Sequence, residues 1–446
     1  MLNYVLTHFY RLYPKAKDLP IYYGEDSAAK GVFIRQYEGN FFEGKVAQPE
    51  QVVWQEWNGT RLPFFFDQTS TVAPITYTDG RALINYDIIA SAFFLLSGWQ
   101  EYHSSHRDRF GRFPYKASVQ ATYGFINVPV VNYYFDMLKE AIQHAFNLKL
   151  ELELWPNASF ASCLTHDIDR LTSAWKVAGL HRFKQGKYLA VGRLVTKKLL
   201  RKDAWDNISE LMALANQHQL KSTYFWMANN QKYNGHPNAD YLVELPKYQL
   251  QIKKLLDKGH EIGIHGSFGT SNNSGQLLAE AVKIGAPVTG NRFHYLQYKP
   301  ELTPQVLSET FLQYDSTLGF AEQLGFRNSF CHPFFPYDFK NRKACHYIEL
   351  PLILMDVTLY SPNYMQLRPA EALPLVRQVM QEIKKFNGLF TLLWHNENIS
   401  DYSEYSLGPH EPNWREVLNE ILLLLRQEGS TFLTCAEAAT AFNGGK

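Results

Sequence analysis

The 446-residue chain has few cysteines, almost no net charge and no long apolar run. Its four cysteines, Cys163, Cys331, Cys345 and Cys435, stand in no CxxC or CxxH spacing, so neither a zinc finger nor a disulfide framework is expected. Forty-four Lys+Arg against 43 Asp+Glu leave a formal charge of +1, which argues against a dedicated nucleic-acid binder. The longest apolar stretch, residues 88–99, is too short for a membrane span of about 20 residues. His8, Arg11 and Lys15 interrupt the opening segment where a signal peptide needs an unbroken apolar core, and a cytoplasmic protein is expected. There is no P-loop, GxGxxG or GxSxG sequence, which weakens nucleotide-binding and serine-hydrolase readings.

Apolar residues make up 46% of the chain and aromatics 15%, enough for a large core and for flat faces that could stack on sugar rings. The length suggests two or three domains. Residues 148–155, LKLELELW, alternate Leu with Lys or Glu and read as a strand with one buried face. Trp155-Pro156-Asn157 ends that pattern and sets the expected boundary. Residues 1–155 read as an α+β unit, with a hairpin at 75–86 turning on Asp79-Gly80 and helices near 87–101 and 130–145. This part offers no catalytic constellation.

Beyond the boundary, strands are expected at 161–167, 222–228, 261–266, 287–296, 313–318, 349–356, 389–396 and 430–435. Helices at 205–219, 242–258, 274–284, 303–311 and 373–387, and one starting at Asn413, separate them. Short buried strands alternating with helices imply a parallel sheet, as a closed or partly closed β/α barrel before an open doubly wound sheet. In such a barrel the site lies where the strands' C-terminal ends meet. Those ends carry Asp167 and Asp169, His265, Arg292 and His294, Asp356, and His395-Asn396.

These residues resemble the motifs of the polysaccharide deacetylase (NodB-homology) family over roughly residues 158–440. THDID at 165–169 resembles its first motif, GHEIGIHGS at 259–267 its second, NRFHYL its third and LLWHN at 392–396 its last. The resemblance implies an α/β chain: a distorted (β/α) barrel over 156–446, behind an α+β accessory domain over 1–155. It also implies a metal-dependent hydrolase that removes N-acetyl groups from a carbohydrate, with a divalent metal, zinc first and cobalt, manganese or nickel also suitable. By motif, Asp167 would be the general base, Arg292 its holder, His395 the general acid and Asp356 the group that orients it. Asp169 and His265 would be metal ligands.

Two departures stand out. Ile168 separates the two aspartates, and position 269, where the family's second metal-binding His stands, is Gly. His294 is the nearest replacement, ahead of Ser267, Thr270 and Ser271, because neutral hydroxyls bind divalent metals less well than imidazole. Gly269 also leaves open a degenerate barrel that binds glycan without cleaving it, and a hydrolase of another amide or ester is the remaining alternative. Asp315 could partner a site histidine in place of Asp356. His332 is open between substrate contact and packing. Phe268, Tyr295, Trp394 and Phe334-Phe335 could wall a sugar groove. By strand alternation His166 points away from the site. Residues 181–202 carry eight Lys/Arg and no acid, usually a solvated helical face; the functional reading is peripheral contact with anionic lipid, which would suit a lipid-linked substrate.

Overall fold

The computed structural model describes residues 1–24, 30–67, 72–152, 154–200, 203–400 and 413–444. The N-terminal part opens with helix Leu2–Leu12 and then forms two small sheets. Strands β1 (Ile21–Tyr23), β2 (Gly31–Ile34) and β6 (Arg81–Ile84) run parallel, and β5 (Ile75–Thr78) closes the edge antiparallel to β6. The β5–β6 pair is the expected hairpin. Gly80 takes the positive φ (68°) that its turn requires. A second hairpin pairs β3 (Val53–Trp57) with β4 (Thr60–Phe64). The helix expected over 87–101 is two pieces, Ile88–Leu96 and Trp99–His103, because Gly98 takes φ 73° between them.

Residues 148–152 are not a strand. Leu150 is buried and Lys149 and Glu151 are exposed, so the alternation reports faces correctly. The backbone has no ladder partner, and Leu150 N–H donates instead to the Gln143 side chain. Alternation tells which face is covered, not whether a neighbouring strand exists to pair with.

A separate, larger sheet carries the site. It contains β7 (Phe160–Ile168), β8 (Ser222–Trp226), β9 (Glu261–Gly266), β10 (Gly290–Phe293) and β11 (Tyr314–Asp315). After a small antiparallel ribbon, β12 (Tyr337–Asp338) with β13 (Lys343–Ala344), come β14 (Ile348–Glu349) and β15 (Leu352–Met355). Strands β16 (Leu389–Leu393) and β17 (Ser430–Phe432) complete it. The order is β14-β11-β10-β9-β8-β7-β16-β15, with β17 also on β7, and every pairing is parallel. The two edge strands, β14 and β15, are consecutive in the chain and separated only by Leu350-Pro351. The three Cα steps from Glu349 to Leu352 span at most about 11 Å, so the sheet has to curl until its edges nearly meet. This is the expected mixed α/β architecture, a curled parallel half-barrel preceded by an N-terminal part. Pro351, which has no N–H to give a ladder, sits at the seam.

Several expected strands are shorter than their apolar runs. The 287–296 run gives only β10 and then bends into a turn at His294–Leu296, and Asp356 begins a helix, Asp356–Tyr360, instead of ending a strand. Two helices, Ala174–Lys184 and Tyr188–Leu199, were not legible as apolar periodicity. Among the described residues no helix is long and apolar enough to cross a membrane.

A common apolar core joins the N-terminal part to the half-barrel. Its polar fasteners gather on residues 319–336. Arg327 donates to both carboxylate oxygens of Glu101 (2.8 and 2.6 Å), and both side chains are buried. Asn132 bridges the Cys331 N–H and His332 Nδ1, and Tyr4 Oη donates to the Phe335 carbonyl. His332 is therefore a packing residue at this junction and not a substrate contact. Glu101→Ala would strand a buried guanidinium, and chemical denaturation should show a loss of about 3–5 kcal/mol.

Candidate active site

Strand alternation places Thr165, Asp167 and Asp169 on one face of β7 and its extension, and His166 on the other. His166 indeed packs on Tyr224 and bonds the Trp394 carbonyl. Across β9–β10, His265 and Arg292 are registered partners, so their side chains emerge side by side. Parallel pairing of β7 with β16 brings His395 beside the end of β7. All seven expected residues meet at this one end of the half-barrel.

Arg292 is fully buried and nearly saturated. It donates to the Ser316 carbonyl (2.8 Å), Ser316 Oγ (2.9 Å), Thr165 Oγ1 (2.7 Å) and Asp167 Oδ1 (3.0 Å), with its guanidinium over the Phe225 ring. One oxygen of Asp167 is thereby held and the other, Oδ2, is 3.7 Å from His265 Nε2. On the opposite wall, Asp356 accepts from the His395 backbone N–H (2.8 Å), from Asn398 (2.6 Å) and from His395 Nδ1 (2.7 Å). Burial opposes charge on His395, but Asp356 outweighs it and the imidazolium is pushed up to about 10. Asp315 is not its partner; it accepts from Asn291 and Thr317.

Asp169, His265 and His294 offer ligand atoms that all lie within 4.8 Å of one another. His265 Nδ1 faces the Arg292 carbonyl at 2.7 Å, which can only accept, so a hydrogen sits there and Nε2 is the nitrogen that points inward. His294 Nε2 lies 3.3 Å from the Pro237 carbonyl, leaving Nδ1 inward, 3.2 Å from His265 Nε2. Burial pushes His294 down to about 4, so it is neutral at neutral pH. Asp169 Oδ1 is buried, 3.2 Å from His265 Nε2 and 3.5 Å from His294 Nδ1, yet aligned with no donor. Burial acts to raise the Asp169 carboxyl, but His294, His265 and His395 outweigh it and keep it well below the usual carboxylate range. Two inward imidazole nitrogens and an orphaned carboxylate oxygen form a donor set that fits a divalent cation.

The three hydroxyls weighed as replacement ligands are engaged elsewhere. Ser267 Oγ donates to Glu280, Thr270 to the Ser267 carbonyl and Ser271 to Gln297. Gly269 takes φ 104°, and a Cβ there would sit 3.0 Å from the Tyr233 ring. A histidine at that position would be both strained and crowded.

The N-terminal part carries no catalytic constellation of its own among the described residues, but it reaches the site. Arg109, Phe110 and Arg112 line a cleft of about 250 Å³ together with Asp167, Asp169, His265, His294, His395, Tyr360 and Tyr364. Phe110 stacks on Tyr295 (4.6 Å between centroids, 14° between planes). Arg112 donates to the Tyr295 carbonyl (2.9 Å) and is pinned by Asp108, and Gln297 donates to the Phe110 carbonyl. These contacts hold Tyr295 and Leu296, whose φ values of 57° and 54° are unusual for side-chain-bearing residues. Of the groove aromatics expected, only Tyr295 lines the cleft; Phe268 packs behind it, and Trp394, Phe334 and Phe335 are core. The Asp-Arg-Phe-Gly-Arg turn at 108–112 has no spacing that marks it as a site element, so the sequence carried no signal for it.

Residues 1–147 match a family of unknown function (DUF7033). No curated protein matches the chain. Solved structures that do include a "putative polysaccharide deacetylase" from Mycobacterium smegmatis, at 18% identity and TM-score 0.44, covering 65% of this chain and 92% of that one. Puue allantoinase matches at 11% identity and TM-score 0.41, over 66% and 94%. A CE4 family pseudoenzyme from Bacillus anthracis matches at 11% identity and TM-score 0.32, over 64% and 66%.

Proposed function

We propose that this chain is a metal-dependent hydrolase that removes N-acetyl groups from a carbohydrate, with a catalytic half-barrel over 156–446 and an accessory domain over 1–155. The observation that carries the reading is the pairing of two differently prepared groups across one cleft. Asp167 is a carboxylate anchored at one oxygen with the other exposed to the site, and His395 is an imidazolium anchored at Nδ1 with Nε2 exposed to it. Amide hydrolysis needs such a base and such an acid at once.

Asp169, His265 and His294 would hold the cation, with zinc the first ion to test and cobalt, manganese or nickel compatible with the same ligands. When bound, the cation supplies carbonyl polarisation and an acidified water. Asp167 takes the water's proton at Oδ2, while Arg292 fixes its Oδ1. His395 delivers the proton on Nε2 to the departing nitrogen, so amide and water leave as free amine and acetate. Asp356 keeps that imidazole charged and oriented. Tyr295, Phe110 and Tyr360 supply flat faces, and the cleft is at the small end for ligand sites, suited to one sugar ring at the reacting position.

The direct test is acetate release from N-acetylated oligosaccharides by chelator-stripped protein, before and after addition of each metal. Metal-dependent release is expected. Glycan binding with no release under any metal would instead assign a non-catalytic glycan-binding barrel.

Asp356→Asn isolates the acid. With the carboxylate gone, burial dominates and the His395 pKa falls from about 10. The alkaline limb of kcat should move to lower pH, and kcat should drop by about 10²-fold or more with bound metal unchanged. The stability sign follows: a raised imidazole pKa contributes fully below the unfolded value near 6.5 and is lost as pH rises through about 10.

A further inference from the structure

We infer that the helical pair Ala174–Lys184 and Tyr188–Leu199 is a docking surface for an anionic lipid bilayer. The pair folds back at Gly186 (φ 72°) and encloses a thin core of Ala174, Ala178, Leu194, Ala204 and Trp205. Its large side chains point the other way. Leu180, Phe183, Tyr188, Leu189, Leu199 and Leu200 are all more than half exposed, Leu189 by 84%. Among the described residues eight of the twenty exposed large apolar side chains fall between 175 and 200, a concentration that a soluble monomer rarely shows.

Charge selects the partner. Residues 174–200 contain no Asp or Glu, and Lys176, Lys184, Lys187 and Arg193 alternate with the apolar positions. Among the described residues Lys184, Lys187 and Arg193 form no ion pair. A protein interface of this apolar content would be depleted of lysine. A bilayer surface accepts both kinds of side chain, Leu and Phe at the acyl boundary and ammonium groups at lipid phosphates.

The pair is also tied to the mouth of the cleft. It begins a few residues beyond Asp169. Asp240 accepts from the Leu171 and Thr172 N–H groups, and Lys198 Nζ donates to the Thr172 carbonyl (3.1 Å). A bilayer held by this surface lies beside the site. On the deacetylase reading, and only on it, the substrate class narrows to a glycan carried at a membrane surface.

The test is co-sedimentation of the full chain, without substrate, with phosphatidylcholine vesicles lacking or containing phosphatidylglycerol. Binding is expected only with phosphatidylglycerol, and added salt should release the protein. Lys184→Ser/Lys187→Ser/Arg193→Ser should weaken it by about fivefold per cation removed. Leu189→Ser/Leu199→Ser should also weaken it, and both variants should keep the wild-type melting temperature and acetate release from a soluble oligosaccharide. The inference is overturned by no binding, by equal binding to both vesicles, or by triple-variant binding equal to wild type. Self-association lost in Leu189→Ser/Leu199→Ser, without vesicle binding, would assign the face to a second copy and overturn it too. Because sedimentation needs no turnover, an inactive protein that binds phosphatidylglycerol vesicles leaves the surface assigned and removes only the deacetylase reading.

Discussion

Asp167→Asn should lower acetate release by about 10³-fold, within the 10²–10⁴ range that general acid–base catalysis contributes. Asparagine matches aspartate in shape, and its amide oxygen can still accept from Arg292, so the surrounding packing is preserved. What disappears is the basic oxygen at the Oδ2 position, which faces the site near His265. Bound metal should stay at the wild-type level, because the proposed ligands are Asp169, His265 and His294 and not Asp167. A continuous acetate assay beside metal quantification separates the two effects. A variant that keeps more than a tenth of wild-type activity would remove Asp167 from the role of base.

His294→Ala should weaken metal binding by more than about 100-fold, a larger effect than the 10–100-fold typical of losing an outer-shell partner. His294 is one of the three proposed protein ligands. Without it the orphaned Asp169 oxygen and His265 Nε2 cannot complete the set. Competition with a chromophoric chelator measures this directly, with no dependence on turnover. Arg112→Ala gives the graded comparison. Arg112 touches no ligand atom, but it holds the Tyr295 carbonyl next to His294, and its loss should cost about 10–100-fold in affinity. Equal affinities in wild type and His294→Ala would dismiss the three-ligand set.

What the sequence disclosed follows from which interactions are local. Strand alternation along 165–169 separates Asp167 and Asp169 from His166, and apolar runs before His265, Arg292 and His395 mark strand ends that share a face. The same reasoning reached His294 by position. It could not tell that Tyr295 and Leu296 adopt left-handed backbone, since nothing in their own neighbours favours it. That conformation depends on Phe110 and Arg112, about 180 residues away in the chain, and contacts at that separation leave no periodic trace. Residues 148–152 fail for the mirrored reason: their alternation is real, but pairing depends on a neighbour that is not there. The helical pair at 174–199 showed only as a basic run at 181–202, without apolar periodicity, because its large side chains face outward and blur the one-sided pattern by which buried helices are recognised.

The grip of Arg112 and Phe110 on the turn after β10 has a practical corollary for anyone seeking a minimal version of this molecule. Cutting the chain at the apparent boundary near residue 155 would discard the strip that shapes the wall beside His294, together with the Glu101 carboxylate that neutralises Arg327. An isolated half-barrel would then present a slack pocket and an uncovered guanidinium. Grafting experiments between relatives would have to move residues 101–113 along with the barrel, as though the two stretches were a single inherited part.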